Sequence, residues 1–264
     1  MTPLDDYQRK RNFSKTPEPS GDTTKRRPRS KKAKTTLYFC VQKHLASRLH
    51  YDLRLEHNGV LLSWAVPKGP SLDPAHKRMA VQTEDHPIDY GDFEGVIPEG
   101  YGAGIVMLWD YGTWQPQSDS IDTALDRGDL KFTLDGYKLK GSWVLVRTRD
   151  RAGTSPKQTG RSWLLIKHRD YWSGPIDITE FAPLSVKSES NFDDILADDM
   201  PDMWLTGRPA TGRGTSKQMV ATIEKATRTI LARRPTAKKT LKTRARKTGG
   251  SPRGRPTATS TRRR

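Results

Sequence analysis

Short runs that alternate between apolar and polar residues dominate the first two thirds of the chain. The clearest is "LHYDLRLEH" at 49–57, where leucine or tyrosine occupies every second position. Alternation with a period of two is typical of β-strands, because successive side chains point to opposite faces of a sheet. This pattern, with its β-branched and aromatic residues, predicts strands at 36–42, 49–57, 60–66, 78–83, 104–110, 129–134, 137–141, 142–148 and 161–168.

Turn residues between these runs indicate how the strands connect. "HNG" at 57–59 and "LDGY" at 134–137 have the Asn-Gly and Asp-Gly chemistry of tight hairpins. "SIDTALDRG" at 120–128 predicts a short helix with Ser120 as its N-cap. Many short strands with little helix favour a mainly β fold, a small closed or partly closed antiparallel β-barrel.

The pattern changes after about residue 185. The acidic stretch "SESNFDDILADDMPDMW" at 188–204 has room for one or two helical turns. Apolar residues recur at helical spacing within 216–234 and predict a helix there, namely Met219, Val220, Ile223, Ile230 and Leu231. Such a helix would bind a partner, lie on DNA or have no role, and the sequence leaves these three interpretations open.

Charge is concentrated at the two ends of the chain. The net charge is +17, and residues 205–264 hold 18 Lys and Arg against the single acid Glu224. Residues 1–34 hold 11 bases and 4 acids. This distribution predicts a folded body with disordered basic arms that bind a polyanion. The basic positions expected to contact DNA in the tail are Lys238, Lys239, Lys242, Arg244, Arg246 and Lys247.

The predicted organisation has three parts. Residues 1–34 form a basic N-terminal arm. Residues 35–185 form the barrel, and residues 186–264 form a linker and a low-complexity DNA-binding tail with the helix at 216–234. The sequence has no apolar run long enough for a membrane span and no secretory signal at its start. Its single cysteine, Cys40, excludes an internal disulfide, and we expect a cytoplasmic monomer without membrane contact.

The stretch "QKHLASRLHYDLRLEH" at 42–57 holds the candidate chemistry. His50, Asp52 and Arg54 share one face of the predicted strand, and His44 precedes a bend from which it can fold back beside His50. Two imidazoles and a carboxylate suit Zn²⁺, Mn²⁺ or Fe²⁺, and the planar fork of an arginine suits a phosphate bound beside the ion. The competing interpretation is that these are solvated residues on the wet face of an antiparallel strand.

Further polar residues follow within 50 positions. "WAVPKGPS" places Lys68 just past a predicted strand end, where it is either held over a site or solvated. "KRMAVQTEDHPIDYGDFEG" supplies further candidates, which are Arg78, Glu84, His86 and Tyr90. The glycine-rich "IPEGYGAG" at 97–104 could approach a phosphate backbone, although a loop of this kind is a weak signal alone.

The residues from Gln42 to Gly104 closely resemble the 3'-phosphoesterase domain of the bacterial DNA ligase D family, and the resemblance runs from about Arg9 to His168. It implies a stand-alone form with a basic tail, a compact barrel and an Mn²⁺-dependent site, with Co²⁺ or Zn²⁺ as other candidates. The implied reactions remove a 3'-terminal ribonucleoside and then a 3'-phosphate to leave a 3'-OH during non-homologous end joining. The implied substrates are DNA or RNA–DNA 3' ends at the bacterial nucleoid, and the implied partners are an ATP-dependent DNA ligase and a Ku-type end-binding protein.

The resemblance also implies roles for individual residues. His44, His50 and Asp52 match the family's metal ligands. Its phosphate-binding and catalytic surround is matched by Arg54, Lys68, Arg78, His86 and Tyr90. Supporting positions are matched by Gln42, Glu84, Arg11 and Glu18. The last two imply that part of the N-terminal arm contacts the active site. His86 is expected either to protonate the leaving oxygen or to contact the phosphate. In "KRNFSKTPEP" Asn12 replaces an acid of the family motif, which affects the ribonucleoside-removing step more than the phosphatase step.

Two other functions fit the same sequence. The basic tail and Asn12 are compatible with a non-enzymatic DNA-binding or end-bridging protein that uses the barrel as a platform. The cluster of histidines is also compatible with a zinc-dependent hydrolase that acts on a different phosphoester.

Overall fold

A computed structural model describes residues 2–21, 36–149, 160–200 and 216–233 of the chain. These belong to one compact unit, Met1–Arg233. The second unit, Arg234–Arg264, lies outside the described residues, and so do the basic positions predicted to bind DNA between 238 and 247.

The described chain is mainly β. The strands are β1 (Leu37–Leu45), β2 (Leu49–His57), β3 (Val60–Val66), β4 (Arg78–Gln82), β5 (His86–Pro87), β6 (Gly95–Ile97), β7 (Gly104–Pro116), β8 (Asp129–Gly136), β9 (Lys140–Arg147) and β10 (Ser162–Lys167). The ladder runs β1-β2-β3-β4-β10-β9-β8-β7, and an antiparallel β1–β7 pairing closes it into a barrel. β5 pairs with β3, and β6 pairs with β7. The predicted closed antiparallel barrel is confirmed.

The described residues also form helices. They are α1 (Asp5–Arg9), α2 (Ile121–Arg127), α3 (Ile178–Phe181), α4 (Phe192–Asp198) and α5 (Lys217–Arg233), with a 3₁₀ helix at Ile88–Asp92. The Ser120 side chain accepts from the Thr123 N–H at the start of α2, which confirms the predicted cap. Among the described residues, no helix has the length and apolar character that crossing a membrane requires.

The strands predicted at 36–42 and 104–110 extend further than expected, to Leu45 and Pro116, and β5 and β6 match no predicted strand. One hairpin also differs from the prediction. The stretch 137–141 was predicted to be a separate strand, but it forms the turn before β9 and the beginning of that strand. The buried carboxylate of Asp110 explains the turn, because it accepts from the backbone N–H groups of Lys138 at 3.0 Å and Leu139 at 2.8 Å. A long-range side-chain contact therefore overrides the local pattern.

The barrel interior is filled with aromatic side chains. Five tryptophans are at most 1% exposed, namely Trp64, Trp109, Trp114, Trp143 and Trp163. On β2, Tyr51, Leu53 and Leu55 face this core. The opposite face of β2 is also buried, although its side chains are charged. Other segments of the chain must therefore cover that outer face.

The N-terminal segment supplies part of this cover. Tyr7 in α1 is 0% exposed, and its ring lies 5.1 Å from that of His86 and 5.9 Å from that of Tyr90. The Tyr7 hydroxyl donates to the carbonyl of Pro19 at 2.5 Å, which folds residues 10–21 back over the helix. The part of the arm between residues 2 and 21 thus packs on the barrel, while residues 22–35 lie outside the described residues.

The predicted helix at 216–234 is present as α5, and it packs within its own chain. Met219 is 3% exposed and Ala226 is 0% exposed, and both belong to the same apolar cluster as Phe192 of α4. Lys225 also pairs with Asp193 of α4 at 3.3 Å. The helix therefore belongs to the folded body and not to a free tail.

Candidate metal centre

Two histidines and an aspartate meet on the outer face of the β1–β2 hairpin. His44 lies directly opposite His50 in the antiparallel ladder, and Asp52 follows two residues after His50. The imidazole rings are 4.7 Å apart. The Asp52 carboxylate lies 3.7 Å from Nδ1 of His44 and 3.6 Å from Nε2 of His50. One ligand atom from each residue fits within 4.8 Å of the other two, a spacing that suits a shared metal ion.

The remaining ring nitrogens fix which atoms face the centre. Nε2 of His44 lies 2.9 Å from the carbonyl oxygen of Gly102, and Nδ1 of His50 lies 2.9 Å from that of Arg48. A carbonyl oxygen only accepts, so each of these nitrogens must carry the proton. The lone pairs of His44 Nδ1 and His50 Nε2 are then left to face Asp52. Metal-binding histidines are oriented in this way by a hydrogen bond from the other ring nitrogen.

The surroundings of His44 and Asp52 shift their pKa values toward the protonation states that a metal needs. Burial lowers the pKa of His44, and this outweighs the opposing influence of the nearby Asp52 carboxylate, so the ring is neutral. Burial opposes ionisation of Asp52, yet the neighbouring imidazoles and the positive charge of Arg54 outweigh it, and the pKa of Asp52 falls well below its ordinary value. A neutral imidazole and a carboxylate are the forms that bind a divalent cation.

Arg54 connects the triad to the rest of the site. Its Nε donates to Gln42 at 2.7 Å, its Nη1 to Ser63 at 2.8 Å and its Nη2 to Asp52 at 3.3 Å. The Gln42 amide in turn donates to the carbonyls of Tyr90 and Phe93 at 2.9 Å each. Because Arg54 is only 3% exposed, these contacts fix its fork in place. Arg54 can therefore hold the Asp52 carboxylate in place and present a positive charge beside it.

His86 lies between two guanidinium groups. Nη1 of Arg54 is 2.8 Å from Nδ1 of His86, and Nη2 of Arg11 is 3.3 Å from Nε2. Burial, followed by the charges of Arg54 and Arg11, lowers the pKa of His86 well below its ordinary value. The ring is therefore neutral at physiological pH and a poor proton donor. Of the two roles expected for His86, this environment favours contact with the phosphate.

The N-terminal arm completes the surround through a buried ion-pair network. Arg11 donates from Nε to Glu18 at 2.8 Å and from Nη1 to Glu84 at 3.2 Å. Lys10 pairs with the other oxygen of Glu84 at 2.9 Å. Burial opposes ionisation of Glu84, but its contacts with Lys10 and Arg11 lower its pKa. The arm thus brings a guanidinium to the edge of the metal centre.

A cavity of about 300 Å³ opens over the triad and is here called the metal cavity. Among the predicted site residues it is lined by Arg11, His44, His50, Asp52, Arg54, Glu84, His86 and Tyr90. Its rim also includes Tyr101 and Gly102 of the glycine-rich loop. The structure therefore brings three histidines, two acids, two arginines and Tyr90 to one concave surface.

Lys68 and Arg78 are placed elsewhere. Lys68 is exposed in the turn after β3, and it does not line the metal cavity. Arg78 pairs with Leu165 of β10 in the ladder, and strand alternation puts it on the same face as buried Ala80. That face is the barrel interior, opposite the face that carries Asp52. Their implied catalytic roles stay predictions.

Several contributors were missed by sequence reasoning. Lys10, Tyr7 and Ser63 each contact a site residue, and Gly102 orients His44. Only the loop 97–104 gave a signal, through its glycines. Asn12 is exposed and accepts from the Ser14 hydroxyl at 2.7 Å. It does not line the metal cavity.

Comparison with known proteins gives a consistent picture. Residues 42–147 match the family model described as "DNA Ligase D 3'-phosphoesterase domain". The chain is 53% identical over 191 residues to the "Multifunctional non-homologous end joining protein LigD" of Pseudomonas aeruginosa, which is 71% of this chain and 21% of that protein. It is 38% identical over 187 residues to the protein of the same name in Mycolicibacterium smegmatis, which is 69% of this chain and 22% of that protein.

A third relative is the "Multifunctional non-homologous end joining DNA repair protein LigD" of Mycobacterium tuberculosis, 43% identical over 143 residues, or 54% of this chain and 18% of that protein. The chain therefore spans about a fifth of the length of the curated relatives it matches. The matched region 42–147 contains the metal triad, whereas Arg11 and Glu18 of the arm precede it.

Proposed function

We propose that this chain is a metal-dependent phosphoesterase that processes the 3' ends of broken DNA, because residues 42–147 match the DNA ligase D 3'-phosphoesterase family model. The proposed reactions remove a 3'-terminal ribonucleoside and hydrolyse a 3'-phosphate to a 3'-OH. The observation that supports it most is the orientation of His44 Nδ1 and His50 Nε2 toward Asp52, with both remaining ring nitrogens held by carbonyls.

The donor set supports the choice of cation. Two imidazole nitrogens and one carboxylate form a mixed N/O set, which suits a first-row divalent metal better than Mg²⁺ or Ca²⁺. We propose Mn²⁺, with Co²⁺ and Zn²⁺ as other candidates. A cation bound there would supply Lewis acidity toward a phosphate oxygen and make a coordinated water more acidic.

The chain's own residues bind and orient the phosphate. Arg54 and Arg11 place two guanidinium groups on the wall of the metal cavity, where they offset negative charge that builds up at the phosphate. Neutral His86 contacts the same group, and Tyr90 lines the cavity beside it. In the phosphatase step the water oxygen attacks phosphorus, the P–O3' bond breaks, and the O3' atom takes up a proton. We assign no step to Lys68 or Arg78, because neither lines the cavity.

The relatives suggest the setting. Their names place them in non-homologous end joining, and we propose the same process for this chain, acting as a monomer at the bacterial nucleoid. The proposed partners are an ATP-dependent DNA ligase and a Ku-type end-binding protein. The basic segment after Arg233 would tether the enzyme to DNA, since Lys and Arg that neutralise phosphates release bound counterions.

Release of inorganic phosphate from a 3'-phosphorylated oligonucleotide tests the proposal. With Mn²⁺ we expect release that stops on chelation with EDTA. His50→Ala should abolish it, because one of the three ligands is lost. His76→Ala is the matched control, since His76 is 53% exposed and does not line the cavity. No release by the unaltered protein with Mn²⁺, Co²⁺ or Zn²⁺ would favour the end-bridging alternative, and full activity of His50→Ala would refute the ligand assignment.

A further inference from the structure

A second cavity adjoins the metal cavity and has no role in the chemistry described above. Its volume is about 450 Å³, and we call it the arm cavity. It is lined by Arg9, Lys10, Arg11, Asn12, Lys15, Thr16, Glu18, Glu99, Gly100 and Tyr101. Arg11 and Tyr101 line both cavities. The two cavities therefore share part of their walls, and a strand whose 3'-phosphate lies at the triad would reach the arm cavity past these two residues.

Tyr101 lies at the boundary between the two cavities. Its side chain is 52% exposed, unlike Tyr7 and Tyr90 of the same site, which are buried. Lys10 Nζ lies 4.7 Å and Arg11 Cζ 5.8 Å from the centre of the ring. The flanking residues Gly100 and Gly102 have φ values of 91° and 80°, which favour glycine, so the loop has a defined shape. Half of the aromatic surface is left open to a ligand.

The loop that carries Tyr101 is fixed to the metal centre on one side and to the arm on the other. The Gly102 carbonyl holds His44, and Glu99 pairs with Lys15 at 2.8 Å. The Tyr101 ring is therefore held near the reacting phosphate. Lys15 and Glu99 are 60% and 37% exposed, and an exposed pair of this kind contributes little stability. A phosphate could compete for Lys15 at low cost.

Charge in the arm cavity is mainly positive. Glu18 is buried, and its two oxygens already accept from Arg11 and Thr16 at 2.8 Å each. Lys10 is held by Glu84, which leaves Arg9 and Lys15 as the exposed cations. An exposed aromatic ring beside exposed cations is the combination that proteins use to bind single-stranded nucleic acid, by stacking on a base and neutralising a phosphate.

We propose that Tyr101 and Lys15 form a binding site for the nucleotide that carries the scissile 3'-phosphate. The Tyr101 ring stacks on the base of this nucleotide, and the Lys15 ammonium contacts its 5'-phosphate. The inference rests on the proposed function, and it assigns strand positioning to two residues outside the metal cavity's chemistry. Because stacking tolerates every base, the site would select for the presence of a base and not for its identity.

Paired substrates test the stacking. One oligonucleotide ends in a normal 3'-phosphorylated nucleotide, and the other carries an abasic tetrahydrofuran residue at that position. Alanine substitution of a stacking aromatic typically weakens binding about 10-fold, so Tyr101→Ala should raise KM by about this factor on the normal substrate. On the abasic substrate the same variant should match the unaltered protein, and Tyr101→Phe should behave normally on both. Tyr171→Ala is the control, because Tyr171 is 90% exposed and lines neither cavity.

Lys15 is tested through salt dependence. Lys15→Gln should flatten the log–log salt dependence of binding by about one unit, the effect of losing one phosphate contact. Lys77→Gln, a change at an exposed lysine that lines neither cavity, should leave the slope unchanged. An unchanged slope for Lys15→Gln would exclude the phosphate contact.

Binding measured by fluorescence anisotropy separates this inference from the proposed function. If the unaltered protein releases no phosphate with any divalent metal, the proposed function fails, yet the anisotropy titrations still test the site. A loss for Tyr101→Ala that appears only on the base-bearing oligonucleotide supports stacking. An equal loss on both oligonucleotides, or no loss on either, overturns it.

Discussion

Arg11 should hold the N-terminal arm on the barrel, and its removal should release the arm locally. The Arg11 and Glu18 side chains are 5% and 1% exposed, and Glu84 is 3% exposed. Removal of one partner from a buried ion pair typically costs roughly 3–5 kcal/mol, because the remaining charge stays buried without compensation. Glu18 keeps the Thr16 hydroxyl and Glu84 keeps Lys10 as donors. We therefore expect the lower end, about 3 kcal/mol, for Arg11→Ala.

Hydrogen exchange of backbone amides measures this loss where it occurs. The amides of Gln8 and Lys15 donate within the arm at 2.9 Å each, so they report its docking. A loss of about 3 kcal/mol corresponds to roughly 100-fold faster exchange at these positions. Exchange of core amides in β2 and β3 should change little, because the barrel closes without the arm.

Arg9→Ala is the matched control. Arg9 lies two residues away, is 69% exposed and pairs only with nearby Asp6 among the described contacts. An exposed pair contributes about 0–1 kcal/mol, so exchange should rise by no more than a few-fold. Equal protection of the arm in Arg11→Ala and Arg9→Ala would refute the docking role of the buried network.

Three further predictions follow from burial and charge. Burial and the charge of Glu84 raise the pKa of Asp85 to about 6, so its carboxylate costs stability above that pH and the cost disappears below the unfolded-state pKa. After allowance for solvent screening, Asp85→Asn should therefore raise the free energy of unfolding by about 1 kcal/mol at pH 8 and by almost nothing at pH 4. An equal gain at both pH values would contradict this. Deletion of 234–264 should weaken DNA binding and reduce its salt slope by several units without loss of the fold, and an unchanged slope would exclude the tail as a tether. Met219→Ala should lower the free energy of unfolding, measured by chemical denaturation, by about 2–3 kcal/mol, because Met219 is 3% exposed. Val220→Ala, at a neighbour that is 44% exposed, should lower it by less than about 1 kcal/mol. Equal effects would contradict the packing of α5 on the folded body.

The parts of the fold set by local chemistry were predictable. β2 and β3 have the predicted bounds, and Asn58 and Gly59 in their turn have φ values of 47° and 81°, as Asn-Gly hairpin turns require. The cap at Ser120 depends on neighbouring residues in the same way. At 137–139 the local pattern gave a wrong prediction, because the distant contact with Asp110 makes this stretch a turn and not a strand.

Part of the candidate site was likewise predictable from local sequence, and part depends on distant contacts. His50, Asp52 and Arg54 share a face because of strand alternation alone, which the sequence reveals. The expectation that the chain bends after His44 and brings it beside His50 is also met, because the turn between β1 and β2 places the two histidines opposite each other in the ladder. The contacts of Tyr7 and Arg11 with His86 span more than 70 residues, and no periodicity near residue 10 indicates them.

The placement of Lys68 and Arg78 depends on global geometry as well. Strand alternation assigns Arg78 to one face of the barrel only once the register between β3 and β4 is known. That register pairs Ala65 with Val81. Only with this register does Arg78 fall on the interior face. A pairing register between strands joined by an 11-residue connection, 67–77, is not encoded in either strand's own sequence.

Anomalous diffraction from crystals grown with Mn²⁺ tests the central claim most directly. The account predicts one strong peak about 2.0–2.2 Å from His44 Nδ1, His50 Nε2 and a carboxylate oxygen of Asp52, which is the usual length of such bonds. The peak should be absent from His50→Ala crystals grown in the same way. A peak on other residues, or no peak under conditions in which the enzyme releases phosphate, would contradict the assignment of these three side chains as metal ligands.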